Sequence, residues 1–247
     1  MPDILRQLWD YLSSDAAWSG DRGLPALTWA QVKLSVTAVV IAALIAVPPA
    51  VVLGHVRRGG LLAVSIVNIG RAIPTFAIMV LILPFSLRWG FGLGFWPTAV
   101  ALVLLAIPPI FTNAYTGVRD VPPEAVEAAR GMGMRAGELV RTVEVPVAWP
   151  LIITGLRVSA VQVVATATLG PLVGYIDLGT PILTGFVQRS QRGPLLAAAI
   201  VVILLALLTD GLFALAERRL VPWRRAVGRQ ADVAVTAPTA VTPPTAA

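Results

Sequence analysis

Residues 34–54 read LSVTAVVIAALIAVPPAVVLG, a run of apolar and small residues without a charged side chain. A helix needs about 20 mostly apolar residues to cross the hydrocarbon core of a bilayer. A chain in lipid must also satisfy its backbone hydrogen bonds internally, which favours helices for such a segment. The stretch therefore predicts a transmembrane helix, and with it an all-α membrane fold.

Four further stretches have the same apolar character, so the sequence predicts a polytopic protein with about five transmembrane helices. Arg71 and Pro74 interrupt the second stretch, which is either one kinked helix or a helix followed by a shorter broken piece. It is too short for two full spans. The four stretches are 61–84, 95–115, 147–169 and 195–216.

The composition supports a membrane protein and excludes several classes of active site. Of 247 residues, 57% are hydrophobic and 13% are charged, whereas soluble proteins carry about 25% charged residues. The chain has no cysteine, and His55 is its one histidine, so we expect neither a catalytic thiol nor a metal site. Its one lysine, Lys33, follows valine, so no Gly-Lys-Ser/Thr phosphate-binding loop is present.

Arginines are distributed unevenly between the two sides that five spans would create. Because positive residues accumulate on the cytoplasmic side, this bias predicts an N-terminus outside and a C-terminus inside. In an apolar chain it marks topology, not nucleic-acid binding. The cytoplasmic group comprises Arg57, Arg58, Arg119, Arg130, Arg135, Arg141, Arg218, Arg219, Arg224, Arg225 and Arg229.

These observations divide the chain into three parts. Residues 1–28 have helically spaced apolar residues and nearby tryptophans, which predicts a segment lying in the outer membrane interface. Residues 29–217 form the transmembrane domain. Residues 218–247 begin with arginines and continue into Ala, Thr, Val and Pro, which predicts a basic and then disordered cytoplasmic tail.

The longest predicted cytoplasmic loop, residues 121–146, reads VPPEAVEAARGMGMRAGELVRTVEVP. Pro122 and Pro123 suit a helix start. Glu124 and Glu127 lie in the first turns, where negative side chains interact favourably with the helix dipole. Gly133, with Gly131 before it, allows a sharp exit. We therefore expect a short helix at about 122–134, parallel to the membrane and too small to bury itself. Its small apolar face comprises Ala125, Ala128, Ala129 and Met132.

The same loop resembles the EAA signature of ABC-importer permeases, which reads E-A-A-x3-G-x9-I-x-L-P. Here Glu127-Ala128-Ala129 is followed by Gly133 and then by Val143-x-Val145-Pro146 at matching spacing. Valines replace the signature's Ile and Leu. The resemblance implies a MetI-like, all-helical permease fold in which the short helix couples to an ATPase. The coupling residues it assigns are Glu124, Glu127, Ala128, Ala129, Gly133 and Pro146.

Other stretches are similar to the osmoprotectant branch of these permeases: 71–77 (RAIPTFA), 107–117 (IPPIFTNAYTG), 129–134 (ARGMGM) and 166–170 (TATLG). Two departures weaken the assignment of a substrate. Arg71 replaces the usual Gln, and residues 171–179 lack the common Gly-Ala-Gly-Gly-Leu-Gly run.

The resemblance implies a permease subunit of an ATP-driven importer for a compatible solute such as glycine betaine, carnitine, choline or proline. The alternative is the same role for another amino acid or small organic solute, and a channel or carrier independent of ATP is more remote. The chain itself would be non-catalytic, with ATP and Mg bound by a cytoplasmic ATPase dimer. Further implied partners are a second permease subunit, identical or homologous, and an extracytoplasmic binding protein, at a bacterial inner membrane.

Polar residues at membrane depth are candidates for structural or pathway roles. Arg157 and Asp210 both fall in the inner half of their spans. They could form a structural ion pair, which would offset the free-energy cost of each charge in lipid, and the alternative is a role in gating. Ala38, Ala42 and Ala46 form a small-residue stripe that predicts helix packing. Candidate pathway residues, with helix–helix hydrogen bonding as the alternative for the polar ones, are Arg71, Pro74, Thr75, Asn113, Thr166 and Thr168.

Overall fold

The computed structural model describes residues 2–57, 60–70, 73–188 and 192–220, and every regular element in these ranges is helical. The first half of the chain forms α1 (Pro2–Leu12), α2 (Asp15–Trp18), α3 (Leu24–Val56), α4 (Gly60–Ile69), α5 (Thr75–Arg88) and α6 (Phe95–Arg119). The second half forms α7 (Pro123–Gly131), α8 (Ala136–Leu139), a π turn (Val140–Glu144), α9 (Val145–Ala167), a 3-10 turn (Gly170–Val173), α10 (Gly179–Val187) and α11 (Arg192–Leu220).

Four helices in the described ranges are long and apolar enough to cross a membrane. They are Leu24–Val56, Phe95–Arg119, the continuous helical segment Ala136–Ala167, and Arg192–Leu220. These helices coincide with four of the five predicted spans. The first is 33 residues long and begins ten residues before the predicted start at Leu34.

The second predicted span consists of two helices, α4 and α5, on either side of a break. Pro74 is the N-cap of α5, a position where proline's missing N–H leaves no intrahelical bond unmade. Both helices pack along α6. At 14 residues, α5 is about 21 Å long and too short to span the core alone. The broken-helix alternative is therefore the correct one.

The core of the bundle is formed by α3, α6 and α9, and the most extensive contact joins α3 to α6. Ala38, Ala42, Ala46 and Ala50 recur every fourth residue on α3 and are at most 1% exposed. Gly54 continues the stripe, where an added Cβ would lie 2.8 Å from the Cβ of Val118. Small residues allow helix backbones to approach closely in membranes, so the predicted packing role of the stripe is confirmed.

The contact between α6 and α9 also depends on a glycine. A Cβ added at Gly155 would lie 2.9 Å from both the Cβ of Asn113 and the carbonyl oxygen of Pro109. Beside it, the buried Ser159 hydroxyl donates to the carbonyl of Ala106 at 3.1 Å. The two helices are thus joined by close backbone approach and by an interhelical hydrogen bond.

The N-terminal segment packs on α11, with Leu8, Tyr11 and Leu12 against the cluster that contains Ala197 and Ala198. Large apolar side chains remain exposed on its other side and on the start of α3. These exposed residues suit the interfacial position predicted for residues 1–28, since tryptophans concentrate at membrane interfaces. They are Leu5, Trp9, Trp18 and Trp29.

One end of the bundle holds the ends of α3, α6 and α11 and the start of α9, and we call it the basic end. Arg57, Arg119, Arg218 and Arg219 lie in or next to the last turns of these helices. Of the predicted tail, residues 218–220 belong to α11, and residues 221–247 lie outside the described residues.

We predict that Gly155→Ala destabilises the protein by about 1–3 kcal/mol, because the new methyl group would overpack the contact between α6 and α9. Gly211→Ala is the matched control, since no atom lies within 4 Å of a Cβ at that helical position. The control should be neutral or slightly stabilising. Thermal unfolding in detergent measures both variants, and equal melting temperatures for the two would contradict the proposed close packing.

Candidate functional site

The loop between α6 and α9 forms a short helix with a defined start and end. Pro122 is the N-cap of α7 and Pro123 its first residue. At the other end Gly133 has a φ of +84°, its N–H donates to the carbonyl of Arg130 at 2.9 Å, and the N–H of Met134 donates to Ala129 at 3.2 Å. These two bonds and the left-handed glycine make a Schellman motif. A helix at about 122–134 is thereby confirmed, with bounds Pro123–Gly131.

The two faces of α7 have different surroundings. Val126 and Ala129 are 5% and 2% exposed and pack with Val121 and Leu139, with Met134 and Val143 at the edge. Glu124, Glu127, Ala128, Arg130 and Met132 are exposed. The structure thus divides the predicted small-residue face, since Ala129 turns inward while Ala128 and Met132 turn outward. Sequence reasoning overlooked Val126 as the second anchor, although it lies three residues before Ala129.

A π turn connects α8 to α9 at the end of the EAA-like segment. The N–H of Val145 donates to the carbonyl of Val140, five residues back. The next residue, Pro146, is exposed and lies in the first turn of α9. Proline has no N–H to donate. Pro146 lies just after the π turn, where the regular α-helical hydrogen bonding is already interrupted.

Two side chains join this region to the end of α3. The Nδ1 of His55 lies 2.8 Å from Oε2 of Glu144, whose side chain is 2% exposed. The Nη2 of Arg57 donates to the carbonyl of Val121 at 3.0 Å. Neither contact could be predicted from the sequence, because no local pattern relates the partners, which in the first pair are 89 residues apart.

Arg157 of α9 and Asp210 of α11 form an ion pair. The Arg157 Nε donates to Oδ1 of Asp210 at 2.6 Å, and Nη2 donates to Oδ2 at 2.7 Å. Glu217 lies beside them, with Oε2 3.9 Å from Nη1 of Arg157. This two-bond geometry is the strongest that guanidinium and carboxylate groups make, and it holds α11 against α9.

The predicted pathway residues lie at three separate places. Pro74 and Thr75 are at the start of α5, and Thr166 and Thr168 are at the end of α9. Asn113 lies in the contact between α6 and α9 and donates to Pro109 at 2.8 Å, while Thr168 donates to Ala165 at 2.7 Å. Both of these donate within their own helix, so pathway lining stays a prediction. Arg71 lies outside the described residues.

A buried carboxyl group lies at the end of the bundle opposite the basic end, between α9 and α10. Asp177 is fully buried. Its Oδ1 accepts a hydrogen bond from the Gly179 N–H at 2.8 Å, while Oδ2 has no hydrogen-bond partner among the described residues. Burial raises the pKa of Asp177 from 3.8 to about 7, against the opposing effect of the Gly179 bond. The neighbouring Tyr175 hydroxyl donates to Ala30 of α3 at 2.9 Å.

The described residues contain no group of three or more His, Asp or Glu side chains that could hold a metal ion. The site at the basic end is a short helix held by Val126 and Ala129, and its exposed face carries acidic and small side chains. Its chemistry suits contact with another macromolecule.

Comparison with known proteins identifies relatives over most of the chain. The model of the family described as "binding-protein-dependent transport system inner membrane component" matches residues 38–222. The choline transport system permease protein OpuBB of Bacillus subtilis is 36% identical over 195 residues, 79% of this chain and 87% of that protein. The osmoprotectant import permease protein OsmY of Salmonella typhimurium is 33% identical over 188 residues, 75% and 77% of the two chains.

Solved structures show the same fold. A crystal structure of the MetNI methionine ABC transporter in an inward-facing conformation matches with a TM-score of 0.70 and 22% identity, over 80% of this chain and 96% of that one. A crystal structure of an amino acid ABC transporter with histidines matches with a TM-score of 0.65 and 22% identity, over 79% and 93%. The MetI-like, all-helical fold expected from the sequence is thereby confirmed.

We predict that Asp210→Leu lowers the melting temperature more than the double change Arg157→Leu/Asp210→Leu does. Removing Asp210 takes both short hydrogen bonds from Arg157 and leaves it only the more distant Glu217, at 3.9 Å, whereas replacing both partners with apolar residues removes the cost of the remaining charge. Thermal unfolding of both variants in the same detergent makes the comparison. A double variant less stable than Asp210→Leu would show that the pair is not the interaction that matters.

Asp177 should make stability depend on pH. Because the pKa of Asp177 is raised to about 7 from 3.8, the folded chain holds a proton in this interval that the unfolded chain has released. This contribution is fully present below pH 3.8 and is lost as the pH rises through about 7. Between pH 5 and pH 7 the melting temperature should therefore fall more for the wild type than for Asp177→Asn. Parallel curves for the two proteins would contradict the assignment.

Proposed function

We propose, because this chain belongs to the family of binding-protein-dependent transport system inner membrane components, that it is the permease subunit of an ATP-driven importer for a compatible solute. Glycine betaine, carnitine, choline and proline are the substrates that we consider. Relatives that are at least 30% identical over most of the chain are permeases for choline, carnitine or osmoprotectants by name. The methionine and amino acid transporters are only 22% identical, so their likeness supports the fold and does not favour their substrates.

The observation that carries the coupling role is the outward face of α7. Glu127 and Ala128 are exposed, while Val126 and Ala129 hold the helix to its own chain. A helix with small side chains allows close backbone approach, and its exposed carboxylates offer acceptors to basic groups on a partner. We assign this face to a groove on a separate ATPase, which binds the ATP and Mg. The chain's one lysine does not lie in a phosphate-binding loop.

The partners and the orientation follow from this assignment. The basic end faces the cytoplasm in a bacterial inner membrane, because arginines are retained on that side, and the N-terminus lies outside. Two permease subunits, identical or homologous, form the pathway, and each contacts one ATPase of a dimer. An extracytoplasmic binding protein delivers the solute at the opposite end. Closure of the ATPase dimer pulls the two α7 helices together and turns the pathway outward.

The binding protein carries most of the substrate selectivity in this proposal. Quaternary ammonium groups bind over aromatic faces. In this chain the face of the Phe95 ring already has a cation over it, because the Nζ of Lys33 lies 5.9 Å from the ring centre. Uptake by the reconstituted complex tests the substrate class, with labelled choline, glycine betaine, carnitine and proline compared with methionine. Transport of methionine alone would overturn the compatible-solute assignment.

We predict that Glu127→Arg abolishes co-purification with the cognate ATPase and lowers uptake at least tenfold, because it reverses a charge on the docking face. Glu138→Arg is the matched control. It makes the same charge change at an exposed position of α8, outside α7, and should keep both properties. Retention of the ATPase by Glu127→Arg at the wild-type level would count against docking through α7.

The turn at Gly133 offers an independent test. Its φ of +84° disfavours side chains although nothing lies within 4 Å of an added Cβ, so a substitution acts through backbone conformation alone. Asparagine tolerates this region far better than valine does. Gly133→Val should therefore lose ATPase binding while Gly133→Asn largely keeps it. Equal behaviour of the two variants in co-purification would exclude the role of this turn.

A further inference from the structure

α7, α8 and the π turn form one packed unit, which we call the coupling block (residues 123–144). Val126 and Ala129 of α7 pack against Leu139, and Val143 of the π turn closes the same cluster. The Thr142 hydroxyl donates to the carbonyl of Glu138 at 2.7 Å. A force applied at the exposed face of α7 is therefore received by the whole block.

The backbone joins this block directly to two of the three core helices. α6 ends at Arg119, just before α7 begins, and the π turn continues into α9 without a break. A displacement of the block is therefore passed to α9 through continuous helix and to α6 through the short connection 120–122. α3 ends at Val56, far from the block in sequence, and has no such connection.

α3 is instead joined to the block by side chains. Glu144, the last residue of the π turn, is 1% exposed, and its Oε2 is 2.8 Å from the Nδ1 of His55 on the last turn of α3. The ring N–H donates to the carboxylate in this arrangement. Arg57, the C-cap of α3 at a φ of +54°, donates to Val121, just before α7. One bond reaches the last residue of the block, and the other reaches the chain two residues before its start.

Next to these two bonds, the end of α3 packs closely against α6. An added Cβ at Gly54 would lie 2.8 Å from the Cβ of Val118 and 3.1 Å from the carbonyl oxygen of Tyr115. The end of α3 is thus packed tightly on α6, and close-packed interfaces rearrange as units instead of deforming gradually. This packing joins the end of α3 to α6, while the bonds from His55 and Arg57 join the same end of α3 to the block and to the residues just before it.

We propose that the hydrogen bond between Glu144 and His55, with Arg57 beside it, makes α3 move together with the coupling block, so that the ATP-driven displacement reaches all three core helices. Glu144 and His55 are positioning residues that act on transport and touch no substrate. This inference rests on the proposed function. It adds the connection by which the block acts on a helix to which it is not joined in sequence.

The test uses the full transporter, with its ATPase and binding protein, reconstituted in proteoliposomes. The measured quantity is substrate taken up per ATP hydrolysed, which a purely structural loss of protein would not change. For Glu144→Gln and for His55→Ala, we expect ATPase co-purification as in the wild type and a fall of at least fivefold in this ratio. Glu138→Gln, the same change at an exposed position of the block, should keep the wild-type ratio.

Two further variants keep the proposal falsifiable if single changes prevent folding. His55→Phe/Glu144→Leu replaces the pair with apolar side chains, which proteins tolerate better than one unpaired partner. This variant should assemble and remain uncoupled. His55→Glu/Glu144→His exchanges the two partners and should recover most of the ratio. A wild-type ratio in the apolar double variant overturns the proposal.

The result also separates this inference from the proposed function. If the wild-type chain fails to bind an ATPase at all, the proposed function is wrong. If the wild type transports with ATP and Glu144→Gln does so at the same ratio, the proposed function stands and only the role of the pair is refuted.

Discussion

The arrangement of this bundle depends on the close approach of α3, α6 and α9. In a bilayer, apolar surfaces gain little by meeting each other, so helices associate where small residues allow extensive van der Waals contact. The alanine stripe of α3 and the glycines at 54 and 155 provide such contact on two seams that share α6. The remaining helices lie on this trio, with α4 and α5 along α6, and α11 along α9. On α5 and α11 many of the exposed side chains are large and apolar, as lipid contact requires.

The same packing explains how a nine-residue helix can be presented at the surface. A helix of this length is not stable alone in water, and α7 buries only Val126 and Ala129 deeply. The position of α7 is fixed by the two helices that flank it in sequence, α6 and α9. These helices pack closely near the loop, since an added Cβ at Gly117 would lie 3.1 Å from the Cβ of Ala148. The two ends of the loop are therefore held a fixed distance apart. Proline at its start and glycine at its end then leave the connecting chain little freedom.

Features set by local chemistry could be predicted from the sequence. The spans follow from apolar length, the bounds of α7 follow from Pro123 and Gly133, and an ion pair between Arg157 and Asp210 follows from the cost of a lone charge in lipid. Features that depend on rotation about a helix axis could not. Ala129 is buried and Ala128 is exposed because Val121 and Leu139 pack against that face of α7, and no local pattern gives this placement. The partner of His55 could not be predicted either, since no local sequence pattern relates His55 to Glu144.

The loop between α9 and α10 shows how a departure from a family pattern can be accommodated. Gly174 has a φ of +92°, and Gly179 packs on the backbone of Thr168, so glycine occupies the two positions where the backbone demands it. Tyr175 and Asp177 fix the loop through their side chains. Tyr175 bonds to Ala30 of α3, and Asp177 bonds to the Gly179 N–H. Side-chain hydrogen bonds thus hold this loop where a glycine-rich segment would rely on close backbone packing, and they make its stability sensitive to the protonation of one buried carboxyl group.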